Sequence, residues 1–188
     1  MKDPIVQAGS LVLRQKAKPV AKKEFGSAKL VALIRKMKAA LTKEAYGVAI
    51  AAPQIGSPLR IFVVAGRAFV SDEEGSGNTA KNIPPDMVFI NPELLRVSRK
   101  MHEMSEGCLS VRGKYGTVLR HEKASVKAYN EKGEPFIYHG SGLLAHIFQH
   151  ECDHLEGILY IDKAVKLIND EEAASKGRWV AFKNENAT

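Results

Sequence analysis

The 188-residue chain contains only two cysteines, no apolar run long enough to span a bilayer and no internal repeat. Two cysteines cannot build the disulfide framework of a small secreted scaffold, and so few of them suit a reducing cytosol. A spanning helix needs about 20 consecutive apolar residues, so no membrane partner is expected. The first residues lack the charged-then-apolar pattern of a secretory signal and any long Arg/Ser-rich transit extension, so a cytoplasmic location is expected. No nucleic-acid-binding motif is present, and DNA is not an expected partner. What remains is ordinary for a small globular protein: 45% hydrophobic residues and a length that suits one domain with a proper core. The formal net charge is +7, from 28 basic and 21 acidic residues. Such a surface can favour polyanions, RNA included, and serves plain solubility equally well. The densest basic patch is Arg14, Lys16, Lys18, Lys22 and Lys23.

Against that plain background, His150-Glu151-Cys152-Asp153-His154 stands out. It is a His-Glu-x-x-His pattern on a segment that reads as helical. Two histidines four apart stand one turn apart on one face, so both can reach a single metal ion. The glutamate between them can handle the proton of a water at that metal. At about 100° per residue, Leu143, His146, Ile147, His150 and His154 share a sector, while Leu144, Phe148, Cys152 and Leu155 face the other way. One side of the helix can therefore enter a core while the other carries chemistry. Cys152 points away from the histidines and cannot share their metal. A buried helix with merely hydrogen-bonded histidines is the plain alternative.

A catalytic tetrahedral metal needs a third protein ligand and an open position. Two sources are available. Glu171 and Glu172 lie downstream, near the spacing of a thermolysin-like zinc peptidase. Cys108 lies upstream in Glu106-Gly107-Cys108-Leu109-Ser110. Glycine beside it lets the backbone approach a ligand closely, and a cysteine near a divalent metal becomes a thiolate. A lone cysteine is otherwise a small buried hydrophobe.

The remaining pattern predicts an α+β fold, with antiparallel sheets packed around a central metal-binding helix and an N-terminal amphipathic helix. Leu30, Val31, Leu33, Ile34, Met37, Ala40 and Leu41 recur at helical spacing, which predicts a helix over 27–45 capped by Ser27. Strands are predicted at 60–64, 87–90, 118–129 and 135–138, the last two joined by the turn Asn130-Glu131-Lys132-Gly133. The motif helix is predicted over 141–155, ending at Gly157. Residues 71–85 read as a surface loop.

A third segment brings these together. Gly47-Val48-Ala49-Ile50-Ala51-Ala52-Pro53-Gln54, Glu106-Gly107-Cys108-Leu109-Ser110 and Gln149-His150-Glu151-Cys152-Asp153-His154-Leu155 occur in that order. They resemble the three signature motifs of the peptide deformylase family. The second matches in full. The first departs once, with Ala49 where the family has glycine. Residues 5–20, Ile90-Asn91-Pro92-Glu93-Leu94 and Gly157-Ile158-Leu159-Tyr160-Ile161-Asp162 extend the similarity to residues 3 to 163. The resemblance implies a catalytic domain over 1–163 and a tail over 164–188 that is a short helix or irregular. Many bacterial members end in a long basic helix implicated in ribosome docking. Here Asp170-Glu171-Glu172 is acidic and Gly177 interrupts, so the tail departs from that pattern.

The resemblance implies hydrolysis of the formyl amide of N-formylmethionyl nascent peptides, with transient ribosome contact. Cys108, His150 and His154 are then the metal ligands, for Fe(II) natively, with Zn(II) or Ni(II) able to replace it. Glu151 is the general base. The Gln54 side chain and the Leu109 backbone N–H are the oxyanion donors. Val48, Ala49, Met104, Gly107, Leu143 and Ile147 would meet the substrate, and His146 would sit on the rim of the slot. Glu106 and Arg120 would pair to steady the cysteine motif. A deformylase-like binding protein without turnover is the alternative within the family.

Overall fold

In the computed structural model, which describes residues 3–70 and 83–169, two antiparallel sheets flank one buried helix. The larger sheet contains β1 (Ala49–Ala51), β2 (Ile61–Val64), β3 (Met87–Val97), β6 (Lys123–Tyr129) and β7 (Pro135–Ser141), in the order β1-β2-β3-β6-β7. The smaller contains β4 (Met101–Cys108), β5 (Val111–His121) and β8 (Lys166–Asn169), in the order β4-β5-β8. Helix α1 spans Ala28–Thr42 and α2 spans Gly142–Leu155. Among the described residues no helix is long and apolar enough to cross a membrane.

The layering follows from strand periodicity. Successive side chains of a strand point to opposite faces, so a strand covered on both sides reads as an unbroken apolar run. Strand β2, Ile-Phe-Val-Val, is such a run and is fully buried. Ile61 and Val63 pack with Leu30, Ile34, Met37 and Leu41 of α1. Phe62 and Val64 pack with Phe148, Cys152 and Leu155 of α2. Each such fully buried side chain contributes roughly 1.5–3 kcal/mol, and together they fix the rotation of α2. Its start is at the predicted place, and Gly157 (φ 76°) ends it. The Gly157 N–H bonds the His154 carbonyl at 3.2 Å, and a Cβ there would lie 2.8 Å from the Arg14 backbone. Ser27 caps α1, its side chain accepting the Leu30 N–H at 3.2 Å.

Three expectations are corrected. The single strand over 118–129 is two strands in different sheets, with the chain crossing between them at Glu122. The buried residues Val118, Arg120, Ala124, Val126 and Ala128 keep the same two-residue rhythm across the corner, and no glycine or proline marks it. The strand over 87–90 continues to Val97 through an irregular register after Ile90. There Asn91 adopts φ 50°, and its side-chain amide accepts the Val20 N–H at 2.7 Å and donates to the Val20 carbonyl at 2.9 Å. The expected tail over 164–188 contains a strand near its start: Lys166–Asn169 pairs with Lys114–Thr117 of β5. Residues 170–188, with Glu171 and Glu172, and residues 71–82 of the expected loop lie outside the described residues.

Candidate metal centre

Strand β4 delivers Cys108 from the small sheet, and α2 delivers His150 and His154 from the layer between the sheets. Their ligand atoms all lie within 4.8 Å of one another, the only such group among the described residues. Cys108 Sγ is 3.2 Å from His154 Nε2, a separation that two ligands of one ion with bonds of about 2.0–2.3 Å can span. Cys152 is on the opposite, core-facing side of α2, where burial pushes its thiol up to about 12.

A carboxylate organises the histidines. Glu106 is 2% exposed and its two oxygens are met by four donor groups. Oε1 accepts from Arg120 Nε at 2.6 Å and His146 Nε2 at 2.8 Å. Oε2 accepts from Arg120 Nη2 at 3.1 Å and His150 Nδ1 at 2.6 Å. Burial pushes this carboxyl up, but hydrogen bonds from His146, His150 and Arg120 outweigh it and hold the group well below the usual carboxylate range. With Nδ1 donating to a carboxylate, His150 keeps the Nε2 lone pair for a metal. Arg120 also donates to Asp153 Oδ2 at 2.6 Å, and Lys163 holds the same carboxylate from outside.

Gln54 is 2% exposed, on the turn after β1. Its Oε1 accepts the Ala51 N–H at 2.8 Å, which leaves Nε2 aimed at Ser110 Oγ (3.3 Å) and Cys108 Sγ (3.4 Å). The N-terminal segment ties these two motifs together. Val6 N–H bonds the Gln54 carbonyl, the Gln7 side chain the Leu109 carbonyl, and Ala8 N–H the Ser110 carbonyl.

The metal-ligand group opens into a cavity of about 520 Å³. Val48, Ala49, Gln54, Gly107, Leu109, Leu143, Ile147 and Glu151 line it. A side chain at Gly107 would press on the Tyr115 ring, since its Cβ would lie 3.0 Å from that ring. Met104 does not line the cavity: it precedes Glu106 by one strand repeat and lies further along β4. His146 lines the cavity and is buried against Glu106. Glu151 is 3% exposed, its Oε2 has no hydrogen-bond partner among the described residues, and burial raises its carboxyl to about 7. A buried acid with a free oxygen beside converging metal ligands is suited to take a proton from water.

A sequence profile of the polypeptide deformylase family matches residues 2–170. The chain belongs to the polypeptide deformylase family. Its relatives include the peptide deformylase of Halothermothrix orenii, 41% identical over 87% of this chain and 96% of that protein. The peptide deformylase of Christiangramia forsetii is 38% identical over 87% of this chain and 82% of its own length. A Met-Ala-Ser-bound crystal structure of the class I type b enzyme from Acinetobacter baumannii superposes with a TM-score of 0.72 at 34% identity, covering 87% of this chain and 99% of that one. Deformylases are metal-dependent hydrolases that remove the formyl group from an N-terminal methionine. The Cys108, His150 and His154 group offers one sulfur and two imidazole nitrogens, a donor set that soft and borderline divalent metals accept.

Sequence reasoning missed several supports of this centre. His146, Asp153, Lys163 and Ser110 each contact a site residue or its anchor, and Gln149 bonds the backbone of His121, next to Arg120. Asp153 and Gln149 flank the histidines in the motif itself, and that position was the available signal. The Gln149 side chain accepts the His121 N–H at 3.0 Å and donates to the His121 and Ala145 carbonyls, both at 2.9 Å.

Removing one partner of a buried ion pair strands the other and costs about 3–5 kcal/mol. Arg120→Ala leaves Glu106 without its guanidinium, so we expect the thermal midpoint to fall by roughly 6–20 °C, given about 2–4 °C per kcal/mol for a domain of this size. Circular dichroism melts check this. A fall of only a degree or two would mean that His146 and His150 suffice to hold Glu106.

Proposed function

We propose that this cavity hydrolyses the formyl amide of N-formylmethionyl peptides, with Fe(II) as the native metal and Zn(II) or Ni(II) able to occupy the same ligands. The observation that carries this reading is the convergence of one thiol and two imidazoles at a largely apolar cavity whose wall holds a buried carboxyl with one oxygen unpartnered among the described residues. Cys108, His150 and His154 would hold the metal, which supplies Lewis acidity toward water and the formyl carbonyl. Glu151 takes a proton from the attacking water and returns it to the departing amine. A carbon–oxygen bond forms, the carbon–nitrogen bond breaks, and formate leaves beside a free methionyl amine. Negative charge that gathers on the formyl oxygen is met by Gln54 Nε2 and the Leu109 N–H.

Val48, Leu143 and Ile147 offer an apolar wall for the methionine side chain. Strand β1 is the edge of its sheet, so a peptide can lie along it as an added strand, with Gly107 on the other wall giving its backbone room. Nascent formylated chains as substrates place the enzyme in the cytoplasm, in transient contact with the ribosome. Anaerobically purified protein is expected to carry one metal per chain and to release formate from formyl-Met-Ala-Ser. Metal-loaded protein that releases none would overturn the reading.

Ala49 sets a smaller, separate test. It is 8% exposed and lines the cavity, and its φ is not positive, so the family's glycine is not required there for backbone conformation. Its methyl can only crowd the bound peptide. Ala49→Gly is therefore expected to lower KM for formylated peptides and leave kcat nearly unchanged, as uniform binding requires. An unchanged KM would mean that the methyl does not touch substrate. A wild-type chain without turnover, rescued by Ala49→Gly, would favour a binding protein.

A further inference from the structure

Helix α1 breaks the charge rules of a stable surface helix. Its 15 residues include Lys29, Arg35, Lys36 and Lys38 and no acidic residue, and Lys43 is its C-cap. Lys29 stands in the first turn, near the positive end of the macrodipole, where a cation is disfavoured. No glutamate stands three or four residues away along the helix to offset any of these charges. Lys38 reaches Glu131 at 3.2 Å. Lys29, Arg35, Lys36 and Lys43 are exposed, and none forms an ion pair among the described residues. A local rule broken without a local gain points to a use for the surface.

The pattern is also geometric. Lys29, Lys36 and Lys43 recur every seven residues, and a heptad drifts only about 20° around an α-helix. They form one stripe about 21 Å long at 1.5 Å per residue, turned away from the buried Leu30, Ile34, Met37 and Leu41. Ala32 and Ala39 lie along the same outward side and keep it low, so a broad rigid body can approach. The stripe ends where Glu44, Ala45, Tyr46 and Gly47 begin one wall of the cavity.

We propose that this stripe docks the phosphate backbone of structured RNA, beside the entrance of the cavity. Cations spaced along a straight rod suit a regular array of phosphates, and lysines that contact phosphates bind without reading sequence. An anionic membrane is the other polyanion to weigh. A helix that lies in a bilayer surface must bury an apolar face in it. The apolar face of α1 is spent on the protein core, and the outward side holds one large exposed apolar residue, Val31. RNA is therefore the occupant the surface favours. The proposal does not depend on the catalytic assignment.

The test uses the full chain and a fluorescein-labelled RNA hairpin, with anisotropy followed against salt. The wild type is expected to bind with an affinity that falls steeply as salt rises. The triple variant Lys29→Ala, Lys36→Ala, Lys43→Ala is expected to bind roughly tenfold or more weakly at low salt and to lower the log–log salt slope by about 3. Alanine raises helix propensity at these exposed sites, so the variant should fold and keep its hydrolysis of formyl-Met-Ala-Ser. A matched triple at Lys123, Lys127 and Lys132, exposed positions on and beside the large sheet, should leave RNA binding largely intact. Absence of wild-type binding, or equal loss in both triples, would sink the proposal. So would binding to phosphatidylglycerol vesicles that depends on the stripe while RNA binding does not.

Discussion

Glu151→Ala is expected to keep its metal and lose about 10²–10⁴-fold in kcat, the usual contribution of a positioned proton-transfer group. The carboxyl lies deep in the cavity wall with one oxygen unpartnered, and burial brings its proton affinity to about 7, close to working pH. A proton carrier is most effective when its affinity matches the medium, since it must both accept and release. Metal should be retained because Glu151 is not among the three converging ligands. Metal analysis beside single-turnover kinetics separates the two effects. Near-normal turnover in the variant would remove Glu151 from proton transfer and leave it a packing role. Loss of metal together with activity would make it a structural support.

Cys108→Ser is expected to cost more. An alcohol does not ionise near neutral pH as a metal-adjacent thiol does, so the substitution removes a charged ligand and leaves two imidazoles. Losing an outer partner of a metal ligand typically costs about 10–100-fold in metal affinity, and a direct ligand should exceed that range. Metal content after dialysis should fall well below one per chain, and formate release should fall with it. The outcome separates three readings of the thiol. If Glu171 or Glu172 completed the site, as in a thermolysin-like peptidase, metal content would survive. If Cys108 were only a small buried group, both metal and turnover would survive. Loss of both, restored in part by excess metal, is what a ligand gives.

Much of this centre was legible because its spacing is helical. His150 and His154 are one turn apart, and the sectors assigned from 100° per residue match the cavity and core faces of α2. The same periodicity located α1 and its Ser27 cap. What stayed hidden depends on contacts between distant segments. The pairing of Glu106 with Arg120 follows from resemblance rather than from spacing, and nothing local announces that His146 completes it from another layer. The corner at Glu122 was illegible for a different reason. Its flanking residues keep a two-residue rhythm that a straight strand would also show, and only the existence of two sheets breaks it. Strand β8 was missed because Lys166-Leu167-Ile168-Asn169 is a polar-edged segment whose strand state comes from its partner β5.

The amide of Gln149 has a consequence for how the metal site holds its dimensions. Cys108 travels with one sheet and the histidines with a helix seated on the other, so the angle between the sheets sets the sulfur-to-nitrogen separations. The corner where the chain passes between sheets is gripped at His121 by the side chain of Gln149, the residue just before His150. Gln149 thus works as a gauge block. It pins the corner of the chain to the helix one residue before His150. By holding that corner, Gln149 keeps the sheet that carries Cys108 in register with the helix that carries His150 and His154.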